Sequence, residues 1–126
     1  RIERAVDGVT PDGWMVNHSR FIQYSGRPGT ATVVASRRGA CGDVPASPLT
    51  VRLARVRIDE NAQPAVGKIL ATKHVLIRSA PCDSTPIRFK AKPPFIIDVT
   101  SSKTFRPLND TRDLSVQVNY DFAPKR

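Results

Sequence analysis

The 126-residue chain holds few of the side chains from which metal and redox centres are built: two cysteines, Cys41 and Cys82, and two histidines, His18 and His74. A zinc site needs three or four protein ligands, so no metal and no cofactor is expected. No apolar run is long enough to cross a membrane, and no stretch reads as a signal peptide. No segment of useful length repeats its apolar residues at helical spacing. Gly26, Gly29, Gly39 and Gly42 do not precede a helix, which excludes a phosphate-binding loop. Acidic side chains are scarce, 11 against 20 basic ones, for a net charge of +9. That balance favours anionic partners such as nucleic acid, acidic headgroups or acidic envelope polymers. The basic residues are scattered, and solvated strand faces would account for them equally well. Arg52, Arg55, Arg57, Arg88, Lys90 and Lys92 form basic faces without the interleaved aromatics of a nucleic-acid platform, so nucleic acid is not an expected partner.

What the chain does contain points to β structure. Eleven prolines and seven glycines accompany many Val, Ile and Thr residues, a composition of strands and turns. Leu114, Val116, Val118, Tyr120 and Phe122 alternate with Ser115, Gln117, Asn119 and Asp121, the pattern of a strand with one buried face. Phe95, Ile97 and Val99 form an apolar row upstream, and Ile87, Phe89 and Ala91 alternate with Arg88, Lys90 and Lys92. Pro11-Asp12-Gly13 is a turn signal, since proline presets φ and glycine accepts positive φ. The segments 14–24 and 30–36 read as a hairpin around Ser25–Gly29. Between Leu53 and Ala54 the apolar phase slips by one residue, which predicts a β-bulge that keeps Arg52, Arg55 and Arg57 on the outer face. Residues 66–78 carry apolar side chains on both rows, as a central or doubly covered strand would. Seven to nine short strands with turns between them predict one all-β domain over 1–126, an antiparallel β-sandwich of immunoglobulin, jelly-roll or carbohydrate-binding-module type. A closed barrel is the alternative.

The chemistry-bearing residues are few. Cys41, within Gly39–Asp43, and Cys82 would either form a disulfide, placing the domain outside the cytoplasm, or stand as free thiols. Asp110, Arg112 and Asp113 share the loop with Asn109. Two carboxylates there could act as acid and base, but an Arg bridging its own neighbours is the structural reading. His18 and His74 have no nucleophile at recognisable spacing. Trp14, beside its turn, would either stack on a sugar or cap the end of the core.

Several segments, taken in order, resemble a known group of domains. They are Asp7-Gly8-Val9, Asp12-Gly13-Trp14, Val66-Gly67, Pro93-Pro94-Phe95, Thr104-Phe105-Arg106-Pro107 and Asp110-Thr111-Arg112-Asp113-Leu114. Together they resemble an extracellular domain of actinobacterial polytopic membrane proteins that look like envelope glycosyltransferases. Leu114-Ser115 departs from the Leu-Gly expected there. The resemblance implies a non-catalytic β-sandwich on the extracellular or periplasmic face, a fragment of a larger membrane protein. Its partners would be a cell-envelope glycan and the parent's membrane domain. Trp14, Asp110 and Arg112 are the motif positions able to touch a ligand. The alternative is a structural or protein-interaction domain. A start at Arg1 rather than Met fits an excised piece, and a Cys41–Cys82 disulfide fits the location.

Overall fold

Alternation of apolar and polar residues at period 2 runs through most of the chain, and in the computed structural model it becomes strand wherever the rows are clean. The structure describes residues 3–38, 40–42, 45–108 and 110–126. Gly39, Asp43 and Asn109, named above, lie outside the described residues. Within them the strands are β1 (Arg4–Asp7), β2 (Trp14–Met15), β3 (His18–Gln23), β4 (Gly29–Ser36), β5 (Ser47–Ile58), β6 (Pro64–Ile77), β7 (Ser84–Ala91), β8 (Phe95–Ser101) and β9 (Val116–Pro124). They form two open antiparallel sheets, ordered β1-β3-β8-β5-β6 and β2-β9-β4-β7. The fold is therefore a β-sandwich, and the barrel alternative falls away.

The inner rows of both sheets make one core. Phe21, Val51, Ile97 and Val99 from the large sheet meet Ala31, Val33, Ile87 and Val118 from the small one. The Phe95 and Phe122 rings meet edge-on at 5.4 Å, and Phe21 stacks on Tyr120 at 5.3 Å. Burying each such aliphatic or aromatic side chain stabilises by about 1.5–3 kcal/mol. Trp14, Phe105 and Leu114 form a smaller satellite cluster with Ala40 packed against it. Cys41 and Cys82 are bonded, their Cα atoms 5.4 Å apart. The bond ties the β4–β5 connection to the β6–β7 turn and fits an oxidising compartment.

Glycine serves the turn at Gly13 through its positive φ, and at Gly8 it also permits a close approach to β3. Gly13, at φ +90, closes the Thr10–Trp14 turn by donating to the Thr10 carbonyl at 2.9 Å. Gly8, at φ +77, passes so close to β3 that a Cβ there would lie 2.3 Å from the His18 carbonyl oxygen.

Three expectations need correction. Segments 14–24 and 30–36 do not form a hairpin: β3 pairs with β1 and β8, whereas β4 pairs with β7 and β9. The turn at 25–28 instead carries the chain from one sheet to the other. Alternation reveals which face of a strand is buried, not which strand lies beside it.

Residues 66–78 do not form a covered strand either, since β6 is an edge of the large sheet. Ile69, Leu70 and Leu76 are 42–53% exposed, so the apolar outer row faces solvent.

The irregularity predicted at Leu53/Ala54 is present, but its extra residues belong to β6. Pairing of β5 with β8 runs unbroken from Leu49↔Ser101 to Arg55↔Phe95. Across β6, the partners of Leu53, Ala54 and Val56 jump from Ala71 to Ile69 to Val66. Because β5 itself keeps its alternation, Arg52 and Arg55 leave on opposite faces rather than together. Arg55 shares the row of Leu53 and emerges where the core ends. A bulged edge also resists pairing with another chain.

Candidate functional site

One corner of the sandwich gathers the motif residues. The Thr10–Trp14 turn is held by the Trp14 amide donating to Thr10 Oγ1 at 3.1 Å. Beside it, Phe105 and Leu114 exchange both backbone hydrogen bonds at 2.7 Å, closing the loop between β8 and β9. The Arg112 guanidinium joins turn to loop. It donates to Asp110 at 2.9 and 3.1 Å and to Asp12 at 3.0 and 3.2 Å. Hydrogen bonds from Arg112 hold both carboxyls down at about 2, and their joint effect raises the Arg112 pKa. Asp113 pairs separately with Arg106 at 3.1 Å.

Trp14 is 6% exposed, its ring edge-on to Phe105 at 6.0 Å. Arg37, itself 1% exposed, lies 4.2 Å over the Phe105 ring. The structure thus brings Trp14, Asp110 and Arg112 to one corner, but with the indole inside it. The aromatic surface that a sugar would stack on is filled by the protein's own side chains. Arg112 is clamped between Asp110 and Asp12. A carboxyl held ionised by a guanidinium makes a poor proton donor at neutral pH, which sets the corner apart from an acid–base pair.

The outer face of the large sheet carries an arrangement the sequence did not reveal. His18, Thr100, Thr50 and His74 lie in register across β3, β8, β5 and β6. His18 Nε2 contacts the Asp98 carboxylate, and Arg20 Nε lies 3.8 Å from it. His74 Nδ1 and Thr50 Oγ1 are 3.2 Å apart. A cleft of about 570 Å³ opens next to this row, lined by Thr50, His74, Thr100, Ser101 and Ser102 together with aliphatic side chains. Its lining offers hydroxyls, but no carboxylate, ammonium or aromatic ring other than the His74 imidazole. His18 and Asp98 are 80 residues apart, and no local pattern links them. Among the described residues no group of three or more His, Cys, Asp or Glu could hold a metal ion.

A third feature lies where the sheets gape, between the edge strands β6 and β7. Two adjoining clefts of about 470 and 450 Å³ share Leu53, Ala71 and Lys90. Their apolar floor is completed by Phe89 and Phe95. Lys73, Arg88 and Lys90 line the first cleft, and Arg55, Lys90 and Lys92 the second; neither includes a carboxylate. Lys73 crosses the gap, donating to the Arg88 carbonyl with its ammonium 4.9 Å from the Phe89 ring centre. The β7 half of this groove was visible as the Arg88-Phe89-Lys90 alternation. Its β6 half was not, because strand adjacency across two sheets leaves no local trace.

Comparison with known proteins finds no family model, no curated protein and no solved structure that matches the chain.

Proposed function

We propose that this chain is a non-catalytic accessory domain on the outer side of a cell membrane. In this reading it binds a cell-envelope glycan and holds it beside a membrane-embedded glycosyltransferase domain of its parent. The observation that carries the binding role is the β6–β7 groove: long, open to solvent, apolar in its floor and rimmed by hydrogen-bond donors. Such a trough suits an extended chain that offers aliphatic ring faces to the floor and oxygens to the rim. The Cys41–Cys82 bond supports an oxidising location, and the motif resemblance supplies the membrane setting. The pairing of Asp110 with Arg112 and of Asp113 with Arg106 supports a binding rather than a hydrolytic role.

Frontal affinity chromatography of envelope oligosaccharides over the immobilised domain tests the reading. Saturable retardation of at least one oligosaccharide is the expected result; co-elution of all of them with the void marker would overturn it.

A second reading is favoured by one observation. The β5–β6 pair runs past the end of β8, whose last partner is Arg55, and it exposes Ile58 at 62%. An arm of that kind suits packing on the parent or on another envelope protein, in which case the domain would be structural.

A further inference from the structure

We infer that the β6–β7 groove selects acidic glycans, chains with a carboxylate on successive sugars, over neutral chains of the same backbone. The inference rests on the glycan-binding reading and concerns its substrate class.

Five of the carboxylates are already paired with basic side chains. Asp12 and Asp110 close on Arg112, Asp113 on Arg106, and Asp83 on Arg78. Asp98 is taken by His18 with Arg20 nearby. The groove differs: none of Arg55, Lys73, Arg88, Lys90 and Lys92 forms an ion pair among the described residues. All five are exposed. Five of the 20 basic residues thus lie along one trough with no carboxylate in its lining.

Geometry adds direction. From Arg88 to Lys92 the chain advances about 13 Å, at about 3.3 Å per residue, so cations are spread along the trough rather than gathered at a point. Arg55 and Lys73 supply charge from the opposite wall. A ligand with one anion would satisfy only part of this array, whereas one with anions at intervals would engage both walls. The apolar floor of Leu53, Ala71 and Phe89 favours sugar ring faces over a bare phosphate ion. Nothing comparable discriminates charge in the hydroxyl-lined cleft on the outer sheet face. Cationic side chains also protect edge strands from pairing with other chains. That role would leave the charges in place without saturable, ester-sensitive binding.

The test uses the 126-residue chain with oligogalacturonate of fixed length and its full methyl ester, which keeps the backbone and removes the charge. Neutral envelope oligosaccharides, a DNA oligomer and anionic vesicles complete the panel. Saturable binding of the acid form is expected, at least about tenfold tighter than the ester and weakened by salt, because the charges are exposed and screened within about 8 Å at physiological ionic strength. The double reversal Arg88→Glu/Lys90→Glu should remove that preference. The reversal Arg38→Glu/Lys103→Glu, outside the groove and equal in net charge, should leave it. Circular dichroism confirms that both variants fold. Equal affinity for acid and ester overturns the inference, and so does neutral-glycan binding without acid binding; both leave the glycan reading standing. Equal binding of DNA or vesicles, or equal loss in both variants, also overturns it in favour of a general polyanion effect. No binding of any glycan overturns the inference together with the reading beneath it.

Discussion

The ammonium of Lys73 lies 4.9 Å from the centre of the Phe89 ring and links the two sheets at their open edge. The same ammonium donates to the Arg88 carbonyl, so Lys73 both narrows the groove and charges it. Lys73→Met keeps the stem over the ring and removes the donor. Its melting temperature should stay close to that of the parent, as for most surface substitutions of within about 0.5 kcal/mol. Its affinity for an acidic oligosaccharide should fall several-fold in a calorimetric titration. Unchanged affinity would remove Lys73 from the binding surface.

Arg37 poses a different electrostatic case. It is 1% exposed and donates to the Pro45 carbonyl at 2.7 Å and to Ser47 Oγ. Its Nε and Nη1 have no hydrogen-bond partner, and no carboxylate faces it among the described residues. Burial lowers its pKa from the usual guanidinium range, although an arginine stays charged. Replacing a buried charge by an apolar side chain of similar volume is often neutral or stabilising, whereas leaving a cavity is costly. Arg37→Met should therefore be more stable than Arg37→Ala by about 1–3 kcal/mol in urea denaturation. Equal midpoints would mean that the packing against Phe105 contributes little.

The Asp12–Arg112–Asp110 corner makes the molecule acid-sensitive in a defined window. Arg112 holds both carboxyls at about 2, below the ordinary value of 3.8. A carboxyl lowered in the folded state contributes stability that is present above its unfolded pKa. That contribution is lost as pH falls through the folded value. Trp14 fluorescence should therefore report loosening of this corner between about pH 4 and pH 2. Arg112→Met should be the less stable protein at pH 7, and the difference should vanish towards pH 2. A constant difference across that range would show that Arg112 acts through packing alone.

Closing a loop with a sequence separation of 41 gives the disulfide a calculable effect. The chain-entropy relation assigns it about 4 kcal/mol. Cys41→Ser/Cys82→Ser should lower the denaturation midpoint accordingly without changing which residues are buried. A shift of less than about 1 kcal/mol would mean that the unfolded chain already holds these segments together.

The sequence made faces legible and neighbours obscure. The alternations at Val116–Phe122, Ile87–Ala91 and Phe95–Val99 each became a strand with the expected side inward, because period-2 burial is a local property; Leu114, read with the first of them, lies before β9 and packs on Trp14 and Phe105 instead. The phase slip at Leu53/Ala54 marked a real irregularity, yet it could not say that β6 supplies the extra residues. The β3–β4 hairpin failed for the same reason, as did the covered-strand reading of β6: pairing is decided by residues far away in the chain. Candidate sites followed suit. Asp110 and Arg112 were found because they are two residues apart. Arg55 and Lys73 join Arg88 only through the packing of two sheets, and His18 meets Asp98 only across strands. Trp14 was ambiguous because a ring beside a turn serves a core or a ligand equally well, and Phe105, 91 positions on, decides for the core.

Glycan binding in the β6–β7 groove is tested most directly by backbone amide shifts of the isotope-labelled domain, titrated with acidic and neutral envelope oligosaccharides. Saturable shifts are expected at residues 53–55, 71–73 and 88–92, with the corner at 12–14 and 110–113 unmoved. Shifts confined to that corner, or to Thr50, His74 and Thr100, would contradict the groove. No shift with any glycan would contradict the binding function itself.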